Sequence, residues 1–130
     1  MSHHRKPVTA DGAPAAAGPY SHAMVAGNLV FLSGQVPTDP ATGKLVDGGI
    51  GDQTRRCLDN LAIIAEAAGA SLADAVRMGI YVTDISTFKD VNEAYSTFFE
   101  TDPPARSTIG VAALPLGAEV EIDAVVALPD

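Results

Sequence analysis

Apolar and polar residues alternate along the chain in a way that divides it into short strands and two helices. Leu29-Val30-Phe31-Leu32 is a continuous apolar run leading into Ser33-Gly34-Gln35, and the segment from Ser21 to Val25 makes a shorter strand before it. Ala26-Gly27-Asn28 between them reads as a tight turn, because Gly and Asn accept the backbone angles hairpins need. The chain is therefore expected to open with a β-hairpin. Residues 37–49 hold Pro37, Pro40, Gly43, Gly48 and Gly49 and predict a loop. From about Asp52 to Ala68, the apolar positions Cys57, Leu58, Leu61, Ile64, Ala65 and Ala68 recur at helical spacing, with Gly69 as the stop. Ser71 and Asp74 read as the cap of a short turn. Val76, Met78, Ile80 and Val82 alternate with Arg77, Gly79, Tyr81 and Thr83, the two-residue period of a strand. Ser86 is placed to cap a second helix running to about Glu100, with Phe88, Val91, Tyr95 and Phe98 as its apolar stripe. Pro103-Pro104 ends that helix. A strand is predicted from Arg106 to Ala112, a turn from Leu114 to Gly117 and the last strand from Glu119 to Leu128.

The order is β-β-α-β-α-β-β, an α/β (α+β) arrangement in which two helices cover one face of a mixed sheet. The last strand shows what the other face does. Val120, Ile122, Ala124, Val126 and Leu128 share one side and should meet the helices. Glu119, Glu121, Asp123, Val125 and Ala127 share the other, acidic at its start and apolar at its end. A bare apolar sheet face is costly in water. A homo-oligomer in which sheet faces pack together is therefore expected, with a polar pocket at one end of the strand.

Composition narrows the function. The chain has 130 residues, 47% apolar and 18% charged, which fits one globular domain over residues 1–130 with a mobile tail over about 1–12. No apolar stretch approaches the length that spans a bilayer, and no apolar run follows Arg5-Lys6, so a cytoplasmic protein with no membrane partner is expected. The net charge of −8, with no Trp, four Phe and three Tyr, disfavours nucleic acid as a partner. The single cysteine, Cys57, lies on the apolar stripe of the first helix and reads as core.

Arg106 is the leading candidate for chemistry. A guanidinium is planar, permanently charged and matches a carboxylate with two parallel hydrogen bonds. The alternative is an exposed arginine or an internal ion pair. In a tight hairpin centred near Pro115, Arg106 would lie opposite residue 125, leaving Glu121 about 13 Å away along the strand. A different acid, or a bound anion, is then expected to face it. Glu121 is placed to hold or activate a water, or is one acid among three on a solvated face. Tyr20, after Gly18-Pro19, offers its hydroxyl to a ligand or simply packs. Asn92 points into a site or bonds a neighbouring loop. Gly48-Gly49-Ile50-Gly51 lacks the spacing of a phosphate loop. His3 and His4 fall in the tail and His22 stands alone, so no metal site is expected. Ser21 and His22 are adjacent on a strand and point to opposite faces, which rules out a nucleophile–base pair.

These pieces together resemble the reactive intermediate deaminase family, RidA/YjgF, also known as L-PSP endoribonucleases. The resemblance rests on Ala13-Pro14-Ala15-Ala16 with Gly18-Pro19-Tyr20-Ser21, on Leu32-Ser33-Gly34-Gln35-Val36-Pro37, and on Leu58-Asp59-Asn60-Leu61 with Glu66-Ala67-Ala68-Gly69-Ala70. Val91-Asn92 with Tyr95 and Phe98-Phe99, Pro104-Ala105-Arg106-Ser107-Thr108 and Val120-Glu121-Ile122-Asp123-Ala124 complete it, over about residues 13 to 127. It implies a chorismate-mutase-like fold and a homotrimer whose sheets form a central barrel, with sites between subunits. It also implies cofactor-independent hydrolysis of 2-imino acids, such as 2-iminopropanoate and 2-iminobutanoate, to 2-keto acids and ammonia. By the same resemblance Arg106 clamps the substrate carboxylate, Glu121 positions water, Tyr20 and Asn92 complete the site, and Gly34 lets backbone approach the ligand. Thr108 stands where well-known members carry cysteine. The family's ribonuclease name, and a non-catalytic carboxylate-binding or chaperone-like role, are the competing readings.

Overall fold

The computed structural model describes residues 4–130. Its elements are β1 (Arg5–Val8), β2 (Ala23–Ala26), β3 (Leu29–Gln35), α1 (Ile50–Ala67), β4 (Ala75–Val82), α2 (Phe88–Ser96), β5 (Ala105–Gly110) and β6 (Val120–Ala127). Single 3-10 turns lie at Leu72–Asp74, Ile85–Thr87 and Pro115–Gly117. The strands form one mixed sheet in the order β1-β2-β3-β6-β4-β5, parallel only between β4 and β5. The expected β-β-α-β-α-β-β order is present, preceded by an edge strand. The tail expected over residues 1–12 is thus ordered from Arg5, which pairs with Ala26, while residues 1–3 lie outside the described residues.

One core holds the fold together. Val30 of β3, Met78, Ile80 and Val82 of β4, and Val120, Ile122 and Val126 of β6 are fully buried against Leu58, Leu61 and Ile64 of α1 and Val91 of α2. Helix α1 ends where the glycine signal said it should. Gly69 adopts φ +83°, and the N–H groups of Gly69 and Ala70 return to the carbonyls of Glu66 and Ala65, which satisfies carbonyls the helix leaves open. Buried Asn60 joins the helix to the long loop: its Nδ2 donates to the Thr38 carbonyl at 2.9 Å and its Oδ1 accepts from Arg56 Nε at 3.1 Å.

Three expectations are corrected. First, no hairpin forms about Pro115. β5 runs parallel to β4 at the sheet edge, and β6 inserts between β3 and β4. The connection skirts the end of β4, where Val111 N–H bonds the Val82 carbonyl and Thr83 N–H bonds the Glu119 carbonyl. The physical reason is burial. β6 alternates fully apolar residues on one side, so a central place with pairing on both edges covers it best, whereas β5 (Ala-Arg-Ser-Thr-Ile-Gly) tolerates the edge. Second, Val76 does not share the inward side of Met78, Ile80 and Val82. A bulge between Ala75 and Arg77 inserts one residue and turns Val76 outward. Third, Ser86 is not the cap of the second helix. The Asp84 carboxylate accepts from the Ser86 N–H at 3.0 Å and hydroxyl at 2.6 Å, opening a 3-10 turn that leads into α2. The helix ends at Ser96, not Glu100, and buries Val91, Ala94 and Tyr95, leaving Phe88 exposed.

His22 closes the N-terminal segment onto the sheet. Its Nδ1 accepts from the Ala10 N–H at 2.9 Å and its Nε2 donates to the Pro14 carbonyl at 2.8 Å. A neutral ring with one donor and one acceptor satisfies both. Replacing His22 by Phe keeps the volume but strands two buried backbone groups. We expect a loss of about 2–4 kcal/mol in urea unfolding at neutral pH; a change below about 0.5 kcal/mol would show that these bonds do not anchor the segment.

Candidate functional site

The two-residue period of β6 sets where its acids stand. Val120, Ile122 and Ala124 point into the core, so Glu121 and Asp123 point to the open face of the sheet. Opposite them β3 carries a bulge: Leu32 pairs with Ala124 but Gln35 pairs with Ile122, so Ser33 and Gly34 together face Asp123. The Glu121 side chain lies over Gly34, whose missing Cβ would collide with its carboxylate and sit 3.0 Å from its Cδ. Glycine is required here by close approach, not by backbone angle. Around the carboxylate is an open cleft of about 390 Å³, walled by Tyr20, Ser33, Gly34, Val36 and Leu116.

Burial pushes the Glu121 carboxyl above its ordinary value of 4.5, and the neighbouring Asp123 charge pushes it further in the same direction. A carboxylate that holds protons more readily is a better base once ionised. Tyr20 is half exposed and its hydroxyl accepts from the Ala17 N–H at 3.1 Å, which fixes the loop and leaves the phenolic proton for another partner. Ser33 Oγ donates to the Ser21 carbonyl at 2.7 Å, tying that loop to the bulge. Leu116 roofs the cleft in a left-handed conformation, φ +61°, costly for a side chain with a Cβ.

Arg106 stands elsewhere. It pairs in register with Met78, whose side chain is in the core, so Arg106 lies on the helix side of the edge strand. There α2 receives it. Nη2 donates to Asn92 Oδ1 at 2.6 Å, and the guanidinium lies over the rings of Tyr95 and Phe88, 4.7 Å and 5.5 Å from their centroids. Each such stack contributes about 0.5–2 kcal/mol and holds the plane of the fork. Among the described residues no carboxylate lies within ion-pair distance of Arg106. The internal ion pair open in the sequence is thus absent, and the cation is held by a neutral amide and two aromatic faces. Thr108, two residues along the same side, has a buried hydroxyl with no partner, as does Tyr95. Asn92 therefore bonds Arg106 rather than a loop.

The structure brings Tyr20, Gly34 and Glu121 into one cleft, and Arg106, Asn92 and Thr108 onto one edge. It does not bring the two groups together within the chain: they occupy opposite faces of the sheet. Phe88 and Tyr95 escaped the sequence reading because a helical aromatic stripe reads as core, and the only hint was that Phe88, Asn92 and Tyr95 fall on one helix face at spacings of four and three. Ser33 and Leu116 carried no signal, since a bulge and a strained turn are tertiary features. Among the described residues, no group of three or more His, Cys, Asp or Glu side chains is arranged to hold a metal ion, and no helix is long and apolar enough to cross a membrane.

Residues 10–128 match the family model described as Endoribonuclease L-PSP. RutC family protein y4sK of Sinorhizobium fredii is 46% identical over 123 residues, covering 95% of this chain and 98% of its own. The 2-iminobutanoate/2-iminopropanoate deaminase of Rattus norvegicus is 40% identical over 121 residues, covering 93% and 88%. The crystal structure of E. coli TdcF with bound serine superposes with a TM-score of 0.89 at 36% identity, over 95% of this chain and 99% of that one. With the motifs, the sheet order and these relatives in agreement, the chain belongs to the RidA/YjgF family of reactive intermediate deaminases.

Proposed function

We propose that this protein hydrolyses small 2-imino acids, such as 2-iminopropanoate and 2-iminobutanoate, to 2-keto acids and ammonia without a cofactor, at sites shared between subunits of a homotrimer. One observation carries the reading. Among the described residues Arg106 is a fixed cation with no acid partner, presented at a sheet edge with hydrogen-bond donors unused, which suits a substrate carboxylate. A relative with bound serine, itself a small carboxylate ligand, supports the same chemistry. Because Arg106 and Glu121 occupy opposite faces, the clamp of one subunit would meet Glu121 of the partner subunit. Exposed Phe31 and Ile109 on the open face favour such an association.

In the proposed reaction Arg106 holds the carboxylate and so fixes the imine carbon beside the Glu121 cleft. Glu121 takes a proton from water as its oxygen bonds to that carbon and the C=N electron pair moves to nitrogen. The same carboxyl then returns a proton to nitrogen. Glu121 then takes the hydroxyl proton of the adduct and passes it to nitrogen as the C–N bond breaks, so that ammonia leaves and the carbonyl forms. Tyr20 donates to the incoming oxygen. Ribonuclease activity would need a basic groove, whereas the open face carries Glu121 and Asp123 within a chain of net charge −8.

Three outcomes test this reading. In an assay that generates 2-aminoacrylate and follows keto acid release, Arg106→Ala and Glu121→Gln should each lower kcat/KM by about 10²-fold or more, and undiminished rates in either would end the proposal. Mixing the two inactive variants as refolded or co-expressed trimers should restore about a quarter of wild-type activity, since random assembly pairs an intact clamp with an intact base at that frequency; no recovery would place both groups in one subunit's site. Gly34→Ala should fold normally yet lose rate, because the added Cβ displaces the Glu121 carboxylate. Unchanged kinetics in that variant would show that the carboxylate does not work from above Gly34.

A further inference from the structure

Beside Glu121, outside the residues that the proposed reaction uses, the open face carries a second polar assembly. Asp123 is held at both oxygens: Tyr81 Oη donates to its Oδ2 at 2.9 Å, and Arg77 Nη1 stands 3.6 Å from its Oδ1. The floor of this assembly is Gly79, directly opposite Asp123 in the strand register. A Cβ there would collide with the Asp123 carboxylate and approach Tyr81 Oη to 2.8 Å and Arg77 Nη1 to 3.1 Å. The three side chains therefore converge on space that only a glycine leaves open. Tyr81 is itself the cross-strand partner of Glu121, and Asp123 lies two residues along the same strand face, about 7 Å away.

We propose that Asp123 is a positioning residue for Glu121, acting through its charge, and that Tyr81 and Arg77 set how much of that charge Glu121 experiences. The inference rests on the reading of Glu121 as the base of imine hydrolysis. The groups that face Glu121 are few. On β6 it is Asp123; Glu119, just before the strand, is turned to α1, where it accepts from Gln53 Nε2 at 2.9 Å. On β4 it is Tyr81, with Arg77 farther along against Asp123, and from the loop before β2 comes Tyr20. β3 contributes only Ser33 and Gly34. Behind the sheet α1 places Cys57, whose thiol burial keeps protonated, with Arg56 beyond it. Among the described residues, Asp123 is the charged neighbour that raises the Glu121 carboxyl, after burial. With that carboxyl raised, activity should fall as pH drops through a value above 4.5, the proton then occupying the base.

The test follows Glu121 in two ways on the full chain: ¹³C NMR titration of its side-chain carboxyl, and the acid limb of kcat/KM against pH. Asp123→Asn keeps the acceptor for Tyr81 but removes the charge, and should shift both midpoints down by about half a unit to one unit. Arg77→Met leaves Asp123 uncompensated and should shift both up. Opposite shifts from two neighbouring substitutions are a signature that loss of packing alone does not produce, and Arg77→Met decides the matter if Asp123→Asn folds poorly. A Glu121 titration unmoved by both variants, or moved the same way by both, overturns the inference. Wild-type protein without imine hydrolysis overturns the proposed reaction instead, and the NMR titration still decides whether Asp123 controls Glu121.

Discussion

β6 is hydrogen-bonded on both edges and alternates strictly, so each of its residues has one of two fates. Val120, Ile122, Ala124 and Val126 close the core beneath α1, and Glu121 and Asp123 are forced onto the open face by the same geometry. Everything chemical on that face depends on this division. A slip of one residue would bury two carboxylates and expose four apolar side chains, an exchange that costs far more than a domain's net stability. The register is accordingly held by the core, and the acids are positioned without any interaction of their own having to hold the strand.

The neighbours of β6 make room for what it presents. On one side the β3 bulge sets Ser33 and Gly34 against Asp123, and Glu121 folds over the glycine. On the other, Gly79 of β4 leaves space for Asp123, Tyr81 and Arg77 to meet. Each carboxylate thus rests on a position without a side chain, one on each flanking strand. The result is a partly desolvated carboxylate next to a charged neighbour, an arrangement that favours a raised proton affinity over stability.

Arg106 obeys a different logic. Its guanidinium is held by the faces of Tyr95 and Phe88 and by one amide oxygen, which orients the fork; among the described residues no carboxylate neutralises its charge. A carboxylate partner in that place would have made an ion pair and left no charge there for an anion in the proposed reaction. Separation of clamp and base by the thickness of the sheet then makes association between chains part of the chemistry in the proposed reaction, not an addition to it.

The apolar rhythm by itself determined the helices and the central strands, because burial of one face is a local, periodic requirement: Leu58, Leu61 and Ile64 on α1 and Val120 to Val126 on β6 sit where their spacing put them. The motifs around Tyr20, Gly34, Arg106 and Glu121 also marked the residues that form the two halves of the candidate site. Strand order was beyond the sequence. A hairpin about Pro115 and a parallel β4–β5 pair satisfy the same local pattern, and only the competition for the centre of the sheet separates them. The β1 strand, the bulges at Ser33-Gly34 and Val76, and the aromatic bed of Arg106 likewise arise from pairing and packing between distant segments. The alternation of β6 set Glu121 on the open face, but only the pairing of β5 with β4 placed Arg106 against the helices, since the residues around it in β5 do not alternate apolar and polar.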